Sequence, residues 1–112
     1  MGVIKHFDYS PKTLSISMTG RALAHPCRVK IIELLLEKKK LNNQEFVNHF
    51  GMTRSTIHEH LVKLWQADII NITSEQGGTI VSISENQIEK YTHLASLFTF
   101  DRKDGFHLGV LD

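Results

Sequence analysis

The stretch from Asn42 to Ala67 constrains this chain most, because it carries the start and stop signals of two helices at close spacing. Asn42 stands three residues ahead of Glu45, the arrangement of a capping box, in which each side chain bonds the other residue's backbone N–H. Phe46, Val47 and Phe50 supply an apolar face to this short helix, and Gly51 ends it. Thr53 is placed to cap a second, longer helix. Along it Ile57, Leu61 and Leu64 recur at helical spacing on one face, while Ser55, His58, Glu59, Val62 and Gln66 fall on the other. The inner face needs a core; the outer face is free to touch something else. Two capped helices joined across Gly51-Met52-Thr53 make a helix-turn-helix, an arrangement whose second helix is suited to the major groove of duplex DNA.

The preceding chain reads as support for that pair. Residues 1–12 hold Gly2, Asp8, Ser10 and Pro11 without a sustained period and are expected to form a mobile or loosely docked arm. From Thr13 to His25, Leu14, Met18, Ala22 and Leu23 recur at helical spacing and predict a first helix, against the weakening effect of Gly20. Pro26 suits the first turn of a helix, where its missing N–H costs nothing, and Val29, Ile32, Leu35 and Leu36 then predict the central core helix. Glu37-Lys38-Lys39-Lys40 closes it with positive charge at the negative end of the helix dipole. That run reads as a solvated helix end, with phosphate contact as the alternative.

Downstream, Asp68 can take the left-handed conformation that ends a helix. Ile69 to Ser74 reads as a strand, Gln76-Gly77-Gly78 as a turn and Thr79 to Ser84 as the returning strand. A hairpin directly after a helix-turn-helix is a wing. Ser84 and Gln87 have capping-box spacing for a last helix, along which Ile88, Tyr91, Leu94, Ala95, Leu97 and Phe98 form a stripe wider than one small core needs. Such a surplus predicts pairing with a second copy, through Leu14, Met18, Ile88, Tyr91, Leu94, Ala95 and Phe98; folding back on its own domain is the alternative. The end of the chain, with Gly105, Gly109 and alternating Phe106, Leu108 and Val110, is a short strand or a disordered tail. The expected fold is mostly α with a small β-hairpin: a winged helix-turn-helix over residues 13–99, dimerising through its terminal helices, between an arm (1–12) and a tail (100–112).

A length of 112 residues allows one core and not two. Thirteen Lys and Arg against twelve Asp and Glu leave a net charge of +1, so any basic patch for a nucleic acid has to be local. The lone Cys27 excludes an intramolecular disulfide, and no apolar run reaches the roughly 18 residues of a membrane span. With no signal-peptide apolar region either, the expected setting is the cytoplasm.

Two stretches resemble a known family. Ala22 to Leu35 is similar to the "ALADPTRLRILELL" opening of the ArsR-type winged-helix transcriptional regulators, and Ser55 to Leu64 followed by Gln66 to Ile70 is similar to their "STVSxHLKxL…EAGLV" recognition helix and wing entry. Both occur in order, and the resemblance covers residues 20 to 84. It implies a DNA-binding winged helix. The metal-sensing members carry a cysteine pair in the helix before the turn; here that stretch is Asn42 to Val47, without thiolate or imidazole, and neither His93 nor His107 carries the carboxylate and histidine pattern of the members that bind zinc between terminal helices. No metal and no cofactor are therefore expected. The wing, Ser74-Glu75-Gln76-Gly77-Gly78-Thr79, lacks the cation that many members carry near its tip.

The remaining residues fit this reading. His58 and His60 lie about 200° apart round a helix and cannot converge on one ion within a subunit. His60 is expected to pack or hydrogen-bond, His25 to cap or pack, and Cys27 to be a buried structural thiol, with redox sensing as the alternative. No nucleophile and base stand together, so an enzyme is not expected. The expected function is a homodimeric, sequence-specific DNA-binding regulator of unknown effector, contacting double-stranded DNA through Thr53, Arg54, Ser55, Thr56, His58, Glu59 and Lys63 and through the wing residues Gln76, Gly77 and Gly78. The alternative is a protein-interaction module whose winged helix has lost DNA binding, favoured by the uncharged wing tip.

Overall fold

Side-chain caps decide where most of the elements begin. The computed structural model describes residues 8–76 and 78–97. In chain order they form α1 (Pro11–Ala22), α2 (Pro26–Lys38), β1 (Lys40–Asn42), α3 (Asn43–Phe50), α4 (Arg54–Gln66), β2 (Asn71–Glu75), β3 (Gly78–Ser82) and α5 (Glu85–Leu97). Asn42 and Glu45 form the reciprocal box on α3, and Gly51 ends that helix in the left-handed region at φ 66°. Ser84 and Gln87 make the same exchange ahead of α5, each accepting the other's backbone N–H. Both were legible as residue spacings.

α1 corrects the expected boundaries. It starts at Pro11, inside the stretch read as an arm, because the Ser10 side chain accepts from the Thr13 N–H and Pro11 fits the first turn. It ends at Ala22, short of His25. Its buried residues are Thr19 and Ala22; Leu14, Ile16 and Met18 are 44–50% exposed.

The core lies where α2, α3 and α4 meet the sheet. Ile31, Ile32 and Leu35 of α2, Phe46 of α3 and Ile57, Leu61 and Leu64 of α4 are at most 1% exposed, together with Ile69, Ile70 and Val81. At about 25 cal/mol per Å² of apolar surface, these side chains supply most of the drive to fold. Val29 and Leu36, expected among the core residues of α2, are only partly buried, and Ile31 takes the inner position.

The sheet is antiparallel with order β1-β3-β2. β2 and β3 form the wing. The third strand, β1, falls in the end of the lysine run read as a solvated helix end: Lys40 pairs with Ser82, Leu41 with Val81 and Asn42 with Ile80. Lys39, at φ 75°, turns the chain from α2 into it. Ile69 and Ile70 precede β2 instead of opening it. They belong to the terminator of α4, in which Asp68 sits at φ 58°, its N–H bonds the Trp65 carbonyl and the Ile69 N–H bonds that of Leu64. This pair of bonds is a Schellman closure.

The last expectations divide. Ile88 and Tyr91 pack against the core, and Leu94 is 6% exposed, so half of the α5 stripe covers this chain's own domain. Leu97 is 58% exposed. Gly77, Phe98 and residues 100–112 lie outside the described residues.

Candidate functional site

The exposed side of α4 is built from its cap outward. The Thr53 hydroxyl accepts from the Thr56 N–H at 3.2 Å and donates to Thr56 Oγ1 at 2.9 Å, so the hydroxyls of Thr53 and Thr56 hold the helix start. Ser55, His58 and Glu59 are exposed, while Ile57 and His60 on the opposite side are buried. Arg54 does not swing freely: its guanidinium donates to Gln44 Oε1 on α3, and Gln44 Nε2 donates in turn to Asn48 Oδ1 at 2.8 Å. Gln44 and Asn48 are therefore part of this surface. Sequence reasoning missed them, although both stand on the outer side of an amphipathic helix.

The wing closes at the pair Glu75 and Gly78. Gly78 is at φ 112°, which side chains rarely adopt, so a glycine is required there on backbone grounds alone. Gln76 is exposed at the tip and Glu75 beside it is the nearest charge, a negative one.

Behind α4 a polar network ties it to the start of α2. Arg28 Nε donates to His60 Nδ1 at 3.1 Å, and Arg28 Nη1 reaches the Ala22 carbonyl at 3.4 Å. His25 caps α2 by accepting the Cys27 N–H on Nδ1 at 3.0 Å, and its ring stands 4.5 Å from that of His60. Burial pushes the His60 pKa below the usual imidazole value; the neighbouring His25 and the Arg28 guanidinium push the same way and Glu59 opposes them. His60 is thus a neutral acceptor, the packing role expected of it. Cys27 is buried 3.9 Å from the Met52 sulfur; burial raises its thiol pKa and Arg28 lowers it less. A protonated, enclosed thiol is the structural cysteine expected.

At the far side, α1, α2 and α5 enclose an apolar groove of about 410 Å³ lined by Ile16, Leu23, Val29, Tyr91, Leu94 and Ala95. Leu14 and Met18 stand exposed on α1. Burial, then Glu33, raises the pKa of Tyr91, which keeps its hydroxyl protonated beside the groove. No helix among the described residues is long and apolar enough to cross a membrane.

Comparison with known proteins matches residues 25–71 to the family model of the bacterial regulatory protein, arsR family. A curated relative is an uncharacterized HTH-type transcriptional regulator of Methanocaldococcus jannaschii, 34% identical over 59 residues; the match spans 53% of this chain and 61% of the relative's length. Among solved structures, HlyU from Vibrio cholerae superposes with a TM-score of 0.66 at 18% identity, over 80% of this chain and 97% of that one. The homodimeric winged helix-turn-helix DNA-binding domain of a possible ArsR-family regulator from Mycobacterium bovis does so with a TM-score of 0.66 at 18% identity, over 84% and 89%. This chain shares its fold with these two solved structures, of which the second is a winged helix-turn-helix domain.

Proposed function

We propose, from the match of residues 25–71 to the family model of the bacterial arsR regulatory proteins, that the chain is a sequence-specific, DNA-binding transcriptional regulator that acts as a homodimer in the cytoplasm. The observation that carries this reading is the two-sided character of α4. One side is sealed into the core by Ile57, Leu61 and Leu64; the other presents Ser55, His58 and Glu59 without a fold to serve. With α4 in the major groove, Arg54 faces a guanine or a phosphate, Glu59 accepts from a cytosine amino group, and Thr53, Thr56 and Lys63 line the approach. Gln76, Gly77 and Gly78 bring the wing tip to the neighbouring groove by shape rather than charge. No catalytic role is assigned.

Dimerisation is assigned to α1 and α5. Leu14, Ile16, Met18 and Leu97 are 44–58% exposed; Ile16 lines the apolar groove together with Tyr91, Leu94 and Ala95, and this is surface that a second copy would cover. Ile88 supports the helix from beneath. The regulatory domain is residues 13–99, extended back to the Ser10 cap, with the arm and the tail (100–112) appended.

Selection of bound sequences from random duplexes tests the reading. The expected product is an inverted repeat whose half-sites lie about one helical turn, roughly 34 Å, apart. If no duplex is enriched, the chain is an interaction module on the same fold.

A further inference from the structure

A regulator whose wing carries no cation must neutralise the DNA backbone elsewhere, and the cations for that task stand beside α4. We propose that Arg21, Arg28 and Lys63 form a phosphate track along the flank of α4 that faces α1 and α2, and that the duplex backbone runs through it; the inference rests on the DNA-binding reading above.

Two adjoining clefts define the track. One, of about 310 Å³, lies between the last turn of α1, the first turn of α2 and the C-terminal half of α4, with Arg21, Arg28 and Lys63 among its walls. The other, of about 420 Å³, follows α4 back to Thr56. Arg28 and Lys63 line both, so the clefts form one groove. Thr56, Glu59 and Lys63 recur at three and four residues and share one flank of the helix, next to the face that Ser55 and His58 present. A helix lying in the major groove sets such a flank against the groove wall, where the phosphates are.

Within the first cleft no carboxylate offsets the cations: its lining residues include three, in a chain whose cations and anions otherwise balance at thirteen to twelve. Among the described residues the Arg21 and Lys63 side chains make no hydrogen bond or ion pair. Arg28 is anchored through Nε to His60 and through Nη1 to the Ala22 carbonyl, which fixes the guanidinium plane and leaves Nη2 for an oxyanion. Glu59, in the second cleft, is the acidic residue of the groove.

The test is the salt dependence of duplex binding, by fluorescence anisotropy on the selected site and on a random duplex. Arg21→Gln should lower the slope of log affinity against log salt by about two for the homodimer, one for each half-site, and weaken both duplexes by the same factor. Arg28→Lys keeps the charge but loses the fork, so affinity should fall with the slope retained. Lys30→Gln, about 200° round α2 from Arg28, removes the same charge outside the groove and should change nothing. Unchanged thermal melts exclude misfolding. An unaltered slope in Arg21→Gln, while the wild type binds, overturns the track. Titration with inorganic phosphate at constant ionic strength separates the sources: if free phosphate shifts the Arg21 and Arg28 resonances and Arg21→Gln abolishes this without touching the duplex slope, the groove takes a soluble oxyanion and the backbone assignment is wrong. Wild-type protein that binds no duplex fails the functional reading itself, before any variant is compared.

Discussion

Gln87 holds together three parts of the fold, and removing its amide should show it. The residue is 6% exposed; Oε1 accepts the Ser84 N–H at 2.9 Å, and Nε2 donates to Asn71 Oδ1 at 3.0 Å and, at the limit of bonding, to Asp68 Oδ1 at 3.5 Å. α5, the root of the wing and the terminator of α4 thus share one side chain. Gln87→Ala deletes two good hydrogen bonds worth about 1 kcal/mol each net, and leaves partners that are only half-buried and partly regain water. With the lost packing of one methylene, Cγ, at about 0.8 kcal/mol when fully buried, the expected destabilisation is about 2–3 kcal/mol. In a domain of this size that moves Tm by on the order of 10–20 °C. Urea unfolding followed by far-UV circular dichroism measures it, at one fixed protein concentration because a dimer's stability depends on concentration. Gln87→Glu keeps the acceptor for Ser84 but turns the donor into a carboxylate facing Asp68. Burial and Asp68 hold the new carboxyl's pKa above its free value, so the variant's deficit should shrink as pH falls towards about 4.3, where the carboxyl is protonated and can donate. A Gln87→Ala protein within about 0.5 kcal/mol of wild type would refute the reasoning, since that is the range of an uninvolved surface change.

Three further outcomes are expected. The folded-state pKa of His60 is depressed, so the unfolded chain takes up its proton first as pH falls: stability should be complete above the ordinary imidazole value of about 6.5 and decline as pH drops through the folded value, a slope that His60→Leu removes and that a flat wild-type profile between about pH 5 and 7 would contradict. Phe46→Ala should cost about 3–5 kcal/mol in urea unfolding, because the ring is wholly buried under the helix-turn-helix; a smaller loss would mean that the site collapses around the gap. In the functional reading Arg54→Ala should weaken the selected site by about 1–3 kcal/mol if it contacts a base, and Glu59→Gln should relax discrimination while strengthening random-duplex binding, both read from anisotropy titrations.

What could be read from the chain was what is decided locally. Asn42 with Glu45, Gly51, Thr53, Asp68 and Ser84 with Gln87 are signals within four residues of the backbone they satisfy, and each acts as its spacing implied. The inner and outer faces of α4 followed from periodicity for the same reason. Ser10-Pro11 carried an equally local signal, but the polar residues around it masked the helix start. β1 had no such signal: three residues at the end of a lysine run become a strand only because Ile80 to Ser82 lie alongside, forty residues on. Arg28 with His60 and Arg54 with Gln44 are likewise contacts between separate helices, which no spacing along one helix announces. Which half of the terminal stripe, Ile88, Tyr91 and Leu94, covers its own domain could not be seen from α5 alone.

That short first strand has a mechanical meaning. Asn42 is its last residue, in register with Ile80 of the hairpin, and is also the N-cap of α3. The hairpin's root and the first helix of the pair are splinted at a single residue, and α3 grips the start of α4 through Gln44. The hairpin is therefore a lever and not a flap. A rotation of the hairpin would strain the Asn42 cap of α3 and, through Gln44, the first turn of α4.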